Sequence, residues 1–433
     1  MATVEELAKE AEVKLDPKDP HILDLIAQKN GRKIVGEVNN IKFLNCCCLS
    51  KDLPRKYRLS TVVLNDSGAG KSNLVNNVTR PFKDSVIDYT AFTNAFLTRQ
   101  EEGFDGKILK MEQMEKTNDN NQVSLFSLKF LLSEGVLKVG LVERVKGKHE
   151  SRTLTVEGIP VYISTSTNFN IDPESANRTF LMQVDESKEQ TEKIVDFTLN
   201  SYSSLQEREM WEKDIKDLEE LFSIYQSKGQ RVTEIVIPFA DKLKGLIPVE
   251  DLTIRRDLPK ILNLTCVIAF VHFKNRQCFV DTKDSEGQRN LIIVAEPEDF
   301  VEAFNIAGST IRQTLNKMND TSLSLFQTVK DFIDSRAGVF EACTTIREIA
   351  QKTGRSPNRT RELVKILVES GLLMEDRTDK EYKFALTGKD FKEIRLDELT
   401  FSLDEFEQWM QKEIASFGDR YQTIERSCDM DGV

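Results

Sequence analysis

A run of small, hydroxyl-bearing and basic residues near the amino terminus has the types and spacing needed to bind a polyphosphate. Residues 61–72 read Thr-Val-Val-Leu-Asn-Asp-Ser-Gly-Ala-Gly-Lys-Ser, which predicts a β-branched strand, a glycine-rich loop and the start of a helix. In such a loop the backbone N–H groups surround the phosphates, the lysine reaches the β and γ phosphates, and the final hydroxyl holds Mg²⁺. We therefore predict a site for ATP and Mg²⁺ formed by Ser67, Gly68, Ala69, Gly70, Lys71 and Ser72.

One residue departs from the common form of this loop, Gly-x-x-x-x-Gly-Lys-Ser/Thr. The first position is Asn65 here. Asparagine enters the left-handed backbone region more readily than most residues, so we expect the loop to keep its shape. The alternative is a glycine-rich turn that binds nothing, which leaves the spacing of Gly70, Lys71 and Ser72 after an apolar strand unexplained.

A second strand ends in carboxyl and amide side chains. Residues 108–113 read Ile-Leu-Lys-Met-Glu-Gln, and an ATPase of this type needs a carboxylate beside the metal and a group that orients the attacking water. Glu112 is the candidate metal-side carboxylate, and Gln113 occupies the place of the catalytic glutamate. Glutamine cannot accept a proton, so hydrolysis is expected to be slow unless Glu115 substitutes or Gln113 replaces a glutamate in order to trap nucleotide. An ordinary buried strand with a polar end is the alternative.

Two further polar groups follow later strands. Residues 163–168 end in small hydroxyl and amide side chains, and Thr167 or Asn168 is the candidate to contact the γ-phosphate or the water. Arg178 is the candidate guanidinium that enters a neighbouring subunit's site and neutralises transition-state charge. The alternatives are a hydroxyl-rich loop and a surface ion pair between Arg178 and Glu174.

The composition sets limits on the function. The chain has 433 residues, 39% of them hydrophobic and 30% charged, with a net charge of −11, so a surface that is basic overall is excluded but a local basic groove or pore is not. The absence of an 18-residue apolar run and of a signal peptide predicts a cytoplasmic protein without a membrane partner. Seven cysteines without CxxC spacing and three histidines argue against a zinc site; Cys46, Cys47 and Cys48 are expected on a buried strand or helix.

The order of patterns along the chain predicts an α/β fold in five parts. Residues 1–58 are mainly helical, residues 59–235 alternate strands with helices, residues 236–335 are helix-rich, residues 336–390 form a compact unit, and residues 391–433 form an acidic tail with a helix near 403–417. Sheet strands are expected at 60–64, 85–89, 107–111, 159–165 and 179–184. A β-hairpin with a basic tip is expected over 136–156.

The compact unit reads as a winged helix-turn-helix. Helices are predicted at 344–353 and 358–370, with Ser356 as N-cap, Pro357 at the first helical position and Gly371 at the C-cap. Strands at 372–375 and 382–386 would form the wing. The second helix would present Arg359 and Arg361 to DNA, but winged helices also bind proteins, and both uses remain open.

Taken together, these motifs resemble the AAA+-type helicase domain of phage, plasmid and archaeal replication proteins and, more distantly, minichromosome-maintenance helicases. The resemblance covers residues 60–280 and includes Leu-Leu-Ser-Glu-Gly at 131–135 before the hairpin and Gly-Ile-Pro-Val at 158–161 before the polar strand end. It implies a P-loop AAA+ core with a pre-sensor β-hairpin, a helical lid and a C-terminal winged helix. It also implies a homo-oligomeric ring, typically a hexamer, that works with primase or other replication proteins.

The same resemblance assigns further residues. The hairpin tip would project into the ring's pore and hold single-stranded DNA by its phosphates through Arg144, Lys146 and Lys148. Arg256, which follows Arg255 at the start of a lid helix, would place a guanidinium on the nucleotide. A solvated hairpin and surface arginines are the alternatives.

Three functions fit these expectations. The first is an ATP-dependent DNA helicase or translocase in replication. The second is a nucleotide-switched DNA-binding or loader protein with little hydrolysis because of Gln113. The third is a transcription regulator that links an ATPase core to a winged-helix reader. Strand separation distinguishes the first from the second, and preference for single strands over a specific duplex distinguishes the first from the third.

Overall fold

A computed structural model of the chain describes most of its length. The described residues are 15–89, 97, 103–112, 119–145, 148–167, 177–203, 206–226, 230–247, 249, 254–281, 289–316, 318, 320–336, 343–376, 382–390, 401–417 and 421–424. Backbone alone is described at residues 119–125, 141–145, 148–150, 203, 206–208, 230, 289, 320, 403, 417 and 421–424.

Twelve α-helices lie in the described part of the chain. They are α1 (Ile22–Asn30), α2 (Val38–Leu49), α3 (Lys71–Thr79), α4 (Asp119–Glu134), α5 (Lys188–Ser203), α6 (Gln206–Tyr225), α7 (Ile254–Val271), α8 (Pro297–Asn316), α9 (Asp320–Asp334), α10 (Ile346–Thr353), α11 (Pro357–Glu369) and α12 (Leu403–Phe417). None of these described helices has the length and apolar composition required to span a membrane.

The described strands number fourteen. They are β1 (Thr61–Leu64), β2 (Val86–Tyr89), β3 (Ile108–Met111), β4 (Val136–Val145), β5 (Lys148–Glu157), β6 (Val161–Ser166), β7 (Phe180–Gln183), β8 (Gln230–Val236), β9 (Cys278–Asp281), β10 (Arg289–Val294), β11 (Thr344–Thr345), β12 (Leu373–Asp376), β13 (Lys383–Leu386) and β14 (Tyr421–Ile424).

A five-stranded parallel sheet forms the centre of the molecule, in the order β2-β3-β6-β1-β7. Both of its faces are covered. Val63 and Phe180 pack into the core on one face, while Val62 and Tyr162 pack with α4 on the other. This two-sided burial explains why all four residues of β1 are buried and why Val62, Val63 and Leu64 follow one another without alternation. The α/β class with a parallel sheet is confirmed, and each of the five strands lies within two residues of its expected limits.

The β-hairpin of β4 and β5 pairs Val136 with Glu157 and Val145 with Lys148. Its base is fixed to the sheet, because Leu137 and Val156 are buried between the sheet and α4. Gly158 has φ +108°, and a Cβ there would lie 2.4 Å from the backbone nitrogen of Asp105. The ten-residue strands extend about 33 Å from this base. The turn residues 146–147 lie outside the described residues.

A second, mixed sheet was not predicted. Its order is β14-β9-β10-β8; β10 runs parallel to β8, and β9 pairs antiparallel with both β10 and β14. The stretch expected to be helix-rich thus contributes two strands, β9 and β10, and the segment expected to be an acidic tail contributes β14. These strands are short, and the pairs β8–β10 and β9–β14 join residues far apart in sequence, so local periodicity gives no signal for those two pairings.

The helices that precede the central sheet belong to the main core. Helix α2 packs against α1, α3, α7 and α8. Cys46, Cys47 and Cys48 lie fully buried on this helix. Burial raises the pKa of the Cys46 thiol to about 12, so this group stays protonated near neutral pH.

The C-terminal unit has three helices and a small antiparallel sheet, β11-β13-β12. Thr345 and Glu348 form a capping box at the start of α10, and the Ser356 hydroxyl accepts a hydrogen bond from the Arg359 backbone N–H at the start of α11. Helix α9 packs into this unit, since Phe326 and Val329 share its core with Leu363. From the sequence, α9 was expected to belong to the preceding helix-rich region, residues 236–335.

A buried histidine predicts how stability depends on pH. Burial and the nearby Arg276 guanidinium lower the pKa of His272 to about 4. As the pH falls from about 7 to about 5, the unfolded chain takes up a proton at this residue and the folded chain does not. The free energy of unfolding should therefore decrease by about 2 kcal/mol. We expect His272→Gln to remove this part of the loss, measured by denaturant unfolding at both pH values. Exposed His21→Gln is the control; equal pH dependence in His272→Gln and the parent chain would contradict the prediction.

Candidate functional site

The loop at residues 65–70 joins the carboxyl end of β1 to the amino end of α3. Gly68 and Gly70 have φ of +88° and +87°, a region that side-chain-bearing residues rarely adopt. Gly70 is the N-cap of α3, so the free N–H groups of the first helical turn and the positive end of the helix dipole meet at the loop. These features give the loop the donors that an anion requires.

The lysine of the loop lies within hydrogen-bond distance of two carbonyls of its own loop. Lys71 is 8% exposed, and its ammonium donates to the carbonyl oxygens of Asn65 at 2.6 Å and Asp66 at 2.7 Å. The Asp66 N–H donates to the carboxylate of Glu186 at 3.1 Å. A phosphate at the loop would offer Lys71 an anionic acceptor, and charge-assisted hydrogen bonds are the stronger kind. It would also compete with Glu186 for the Asp66 N–H.

Asn65 has a different role from the one expected. Among the described residues, Glu37 is the only non-glycine with positive φ, so Asn65 does not use the left-handed region. Its side chain is 3% exposed; the amide nitrogen donates to the Val184 carbonyl at 3.1 Å, and its oxygen accepts from the Val184 N–H at 2.7 Å. The residue therefore ties the end of β1 to the end of β7, a function that glycine could not supply.

A cleft of about 870 Å³ opens beside the loop. Its walls come from the segment 31–37, the loop, the residues that follow β7, and helix α5. The lining residues are Arg32, Lys33, Ile34, Val35, Glu37, Asp66, Ser67, Gly68, Ala69, Gly70, Asn73, Leu74, Val184, Asp185, Glu186, Gln190, Thr191, Ile194, Phe197, Thr198 and Ser201. Sequence reasoning missed the first and last of these walls, because neither carries a motif and only tertiary packing brings them to the loop.

Side-chain hydrogen bonds join these walls. The Glu37 carboxylate accepts from the Asp185 N–H at 2.7 Å, and burial raises the pKa of Glu37. The Gln190 amide donates to the Val35 carbonyl. Gly36 has φ +65°, and a Cβ there would lie 2.6 Å from the Gln190 side-chain oxygen. Helix α5 is thus attached to the segment 31–37 at a position where glycine is required.

The sheet order brings three strand ends together at the loop. Strands β3, β6 and β1 are neighbours and run parallel. Glu112 directly follows β3, is partly buried and donates its backbone N–H to the Tyr89 carbonyl at 3.4 Å. Thr167 directly follows β6 and is exposed. Gln113, Glu115 and Asn168 lie outside the described residues, so their roles stay predictions.

Two arginines that the sequence singled out lie near the amino ends of the strands, whereas the loop lies at their carboxyl ends. Arg178 precedes β7, and its guanidinium donates to the Ser133 hydroxyl near the end of α4. Arg256 is exposed in the first turn of α7 and does not line the cleft. Lys260, one turn further along α7, donates to the Thr179 carbonyl at 3.0 Å, just before β7. Helix α7 therefore starts near the amino end of β7, whereas the loop follows the carboxyl end of β1, and the contact of Arg256 with a nucleotide stays a prediction.

The predicted DNA contacts are described only in part. Arg144 and Lys148 lie on the hairpin strands next to the turn; their side chains, and all of Lys146, lie outside the described residues. Arg359 and Arg361 are exposed on α11. Arg359 pairs with Glu362 at 3.0 Å, and Arg361 donates to the Asn358 side chain at 3.2 Å.

The chain matches no protein-family model and no curated protein. Among solved structures it is similar to a full-length MCM homolog from Methanopyrus kandleri, with a TM-score of 0.43 and 13% identity over 72% of this chain and 63% of that chain. It is also similar to the A-form apo structure of the NrS-1 C-terminal region, with a TM-score of 0.25 and 13% identity over 88% of this chain and 78% of that one. The match thus spans less than two thirds of the length of the MCM homolog. These scores do not assign a family.

The role of Asn65 can be tested by substitution. Asn65→Gly restores the usual residue of the loop but leaves the backbone N–H and C=O of Val184 without their partner, which should lower the free energy of unfolding by about 2–4 kcal/mol. Denaturant unfolding measures the change, and Asn77→Ala, a partly exposed asparagine on α3 whose side chain bonds only to Asn73 of the same helix, is the matched control with little effect. An unchanged unfolding midpoint in Asn65→Gly would show that the bridge is dispensable.

Proposed function

We propose that the chain is an ATP-dependent DNA helicase or translocase that acts in DNA replication as a homo-oligomeric ring. The observation that carries this proposal is the loop at 65–70, with two left-handed glycines, a lysine and a helix amino terminus beside a large cleft. The loop supplies hydrogen-bond donors for a phosphate, and the cleft has the size of a small-molecule site.

The cleft has a distribution of side chains that suits a nucleotide. Ile34, Val35, Ile194 and Phe197 provide apolar surface for a base, while the loop and α3 provide N–H donors for phosphates. In this proposal Lys71 contacts the β and γ phosphates, and Ser72 and Glu112 hold Mg²⁺. Mg²⁺ would neutralise charge on the phosphates and orient them for displacement.

The proposed hydrolytic water would lie between the ends of β3 and β6. Gln113 would orient it by hydrogen bonding, and Thr167 or Asn168 would contact it or the γ-phosphate. Because glutamine cannot take the proton, turnover in this proposal is slow. This same residue supports the second candidate function, a DNA-binding or loader protein that uses ATP as a switch.

The position of Arg178 supports action between subunits. It lies at the amino edge of the sheet, one strand length, about 13 Å, from the edge that carries the loop. In a ring this arginine would reach the nucleotide of a neighbouring copy and stabilise transition-state charge there. We assign the central sheet to an AAA+ core, the hairpin to its pre-sensor hairpin, the region of α7 and α8 to its lid, and α9 to α11 with their wing to a winged helix.

The proposed DNA site is the hairpin tip, where Arg144, Lys146 and Lys148 would hold the phosphates of a single strand. The arginines of α11 contribute less in this proposal, because Arg359 already has a carboxylate partner. A local basic tip also explains how a chain of net charge −11 binds DNA.

The catalytic proposal predicts a specific order of ATPase rates. Lys71→Ala should abolish ATP binding and hydrolysis. Gln113→Glu should hydrolyse ATP at least about tenfold faster than the parent chain, since it restores a proton acceptor, and single-stranded DNA should stimulate it. Hydrolysis is measured as phosphate release with and without DNA, and motor activity is measured as unwinding of a forked duplex. If Gln113→Glu binds ATP without hydrolysing it, the motor proposal fails and the nucleotide switch takes its place.

The hairpin proposal predicts a change in salt dependence. Replacing Lys146 and Lys148 together by alanine should weaken single-strand binding for all sequences and reduce the slope of log K against log salt by about 1.4, as expected for two lost phosphate contacts. Fluorescence anisotropy over a salt series measures the slope. Lys188→Ala, which removes an exposed lysine of α5, is the control; a double variant with the parent's slope would place the DNA elsewhere.

A further inference from the structure

A buried tryptophan on α6 contacts two cations that differ in their relation to the cleft. Trp211 is 3% exposed. The Lys33 ammonium lies 3.7 Å from the centroid of its ring, and the Arg80 guanidinium carbon lies 4.4 Å from it. Lys33 lines the cleft and Arg80 does not. Arg80 also pairs with Glu212 at 3.0 Å, whereas Lys33 has no ion-pair partner among the described residues.

Aspartates of α6, the helix that carries Trp211, hold the short helical turn Gly31–Lys33 in place. Lys29 is 4% exposed and contacts Asp214 at 3.1 Å and Asp217 at 2.7 Å. Asp214, 1% exposed, also pairs with the Arg32 guanidinium. Breaking a buried ion pair leaves an uncompensated charge, so α6 strongly constrains where this turn lies. The position of Lys33 is therefore set by α6 rather than by the cleft.

Lys33 lies at the end of the cleft where the phosphate loop is. Its carbonyl accepts a hydrogen bond from the Asn73 side chain at 3.5 Å. Asn73 is on the first turn of α3, two residues after Lys71. The lysine ammonium is carried on a flexible four-carbon stem. An ammonium that lies on the Trp211 ring can therefore turn toward an anion bound at this turn.

We propose that Lys33 is a second cationic contact for the anionic ligand of the cleft, and that it exchanges the Trp211 ring for a ligand phosphate when the ligand binds. This inference rests on the proposed nucleotide site and adds to it a residue that the loop motif does not contain. A cation–π contact is weaker than a charge-assisted hydrogen bond to phosphate, so the exchange is favourable. Trp211 consequently reports occupancy of the cleft through the loss of its lysine neighbour.

Arg80 provides a matched control because it contacts the same ring from outside the cleft. The chain has two tryptophans, so Trp409→Phe leaves Trp211 as the only indole fluorophore. In this background the full-length chain, Lys33→Gln, Lys33→Arg, Arg80→Gln and Lys71→Ala are titrated with Mg·ATP. Tryptophan emission and isothermal calorimetry are recorded on the same samples, and thermal unfolding checks that each variant is folded.

We expect ATP to change Trp211 emission in the parent and in Arg80→Gln. In Lys33→Gln the change should disappear and the dissociation constant should rise about tenfold, while Lys33→Arg should keep most of the affinity. If Lys33→Gln does not fold, Lys33→Met keeps the aliphatic packing on Trp211 and replaces it in the same titration.

The outcomes separate this inference from the function on which it rests. If the folded parent does not bind ATP, the proposed nucleotide site is wrong and Lys33 has no ligand to contact. If the parent binds ATP, Lys71→Ala does not, and Lys33→Gln matches Arg80→Gln in affinity, the nucleotide site stands and the role of Lys33 is refuted.

Discussion

The double hydrogen bond between the Asn65 side chain and the Val184 backbone is the contact from which the candidate site is built. It fixes the ends of β1 and β7 relative to each other, and the two chain segments that leave these ends form facing walls of the cleft. The walls continue the connection through single side-chain contacts: Glu186 with Asp66, Glu37 with Asp185, and Gln190 with Val35. Pieces far apart in sequence therefore meet through a short series of hydrogen bonds rather than through one continuous element.

Local signals in the sequence were sufficient for the elements that carry them. The loop glycines, the five strands of the central sheet and the Ser356 N-cap of α11 depend on neighbouring residues, and each was predicted. The second sheet was not, because the pairing of β14 with β9 joins residues more than a hundred positions apart. Arg256 shows the same limit. Its helix could be foreseen, but the edge of the sheet beside which it starts depends on packing between α7 and β7.

The site itself was predictable in its phosphate end and not in its other walls. Lys71 and its loop follow a motif, whereas Lys33 and Gln190 reach the cleft only through the packing of α1 and α6 and the attachment of α5. Asn65 was expected to adopt a left-handed backbone in the loop. Its contribution is instead the side-chain amide that bonds to the Val184 backbone. Gln113, Asn168 and the basic side chains of the hairpin tip remain predictions from sequence.

The contact between Gly36 and Gln190 links two positions 154 residues apart in a way that bears on how the sequence can change. A side chain at position 36 would have to adopt a left-handed backbone and displace the Gln190 carboxamide. Loss of Gln190 would remove this crowding, but the left-handed backbone would still favour glycine at position 36. Among descendants of this chain, a substitution of Gly36 should therefore be accompanied by a change at position 190, whereas position 190 can change while glycine remains at 36.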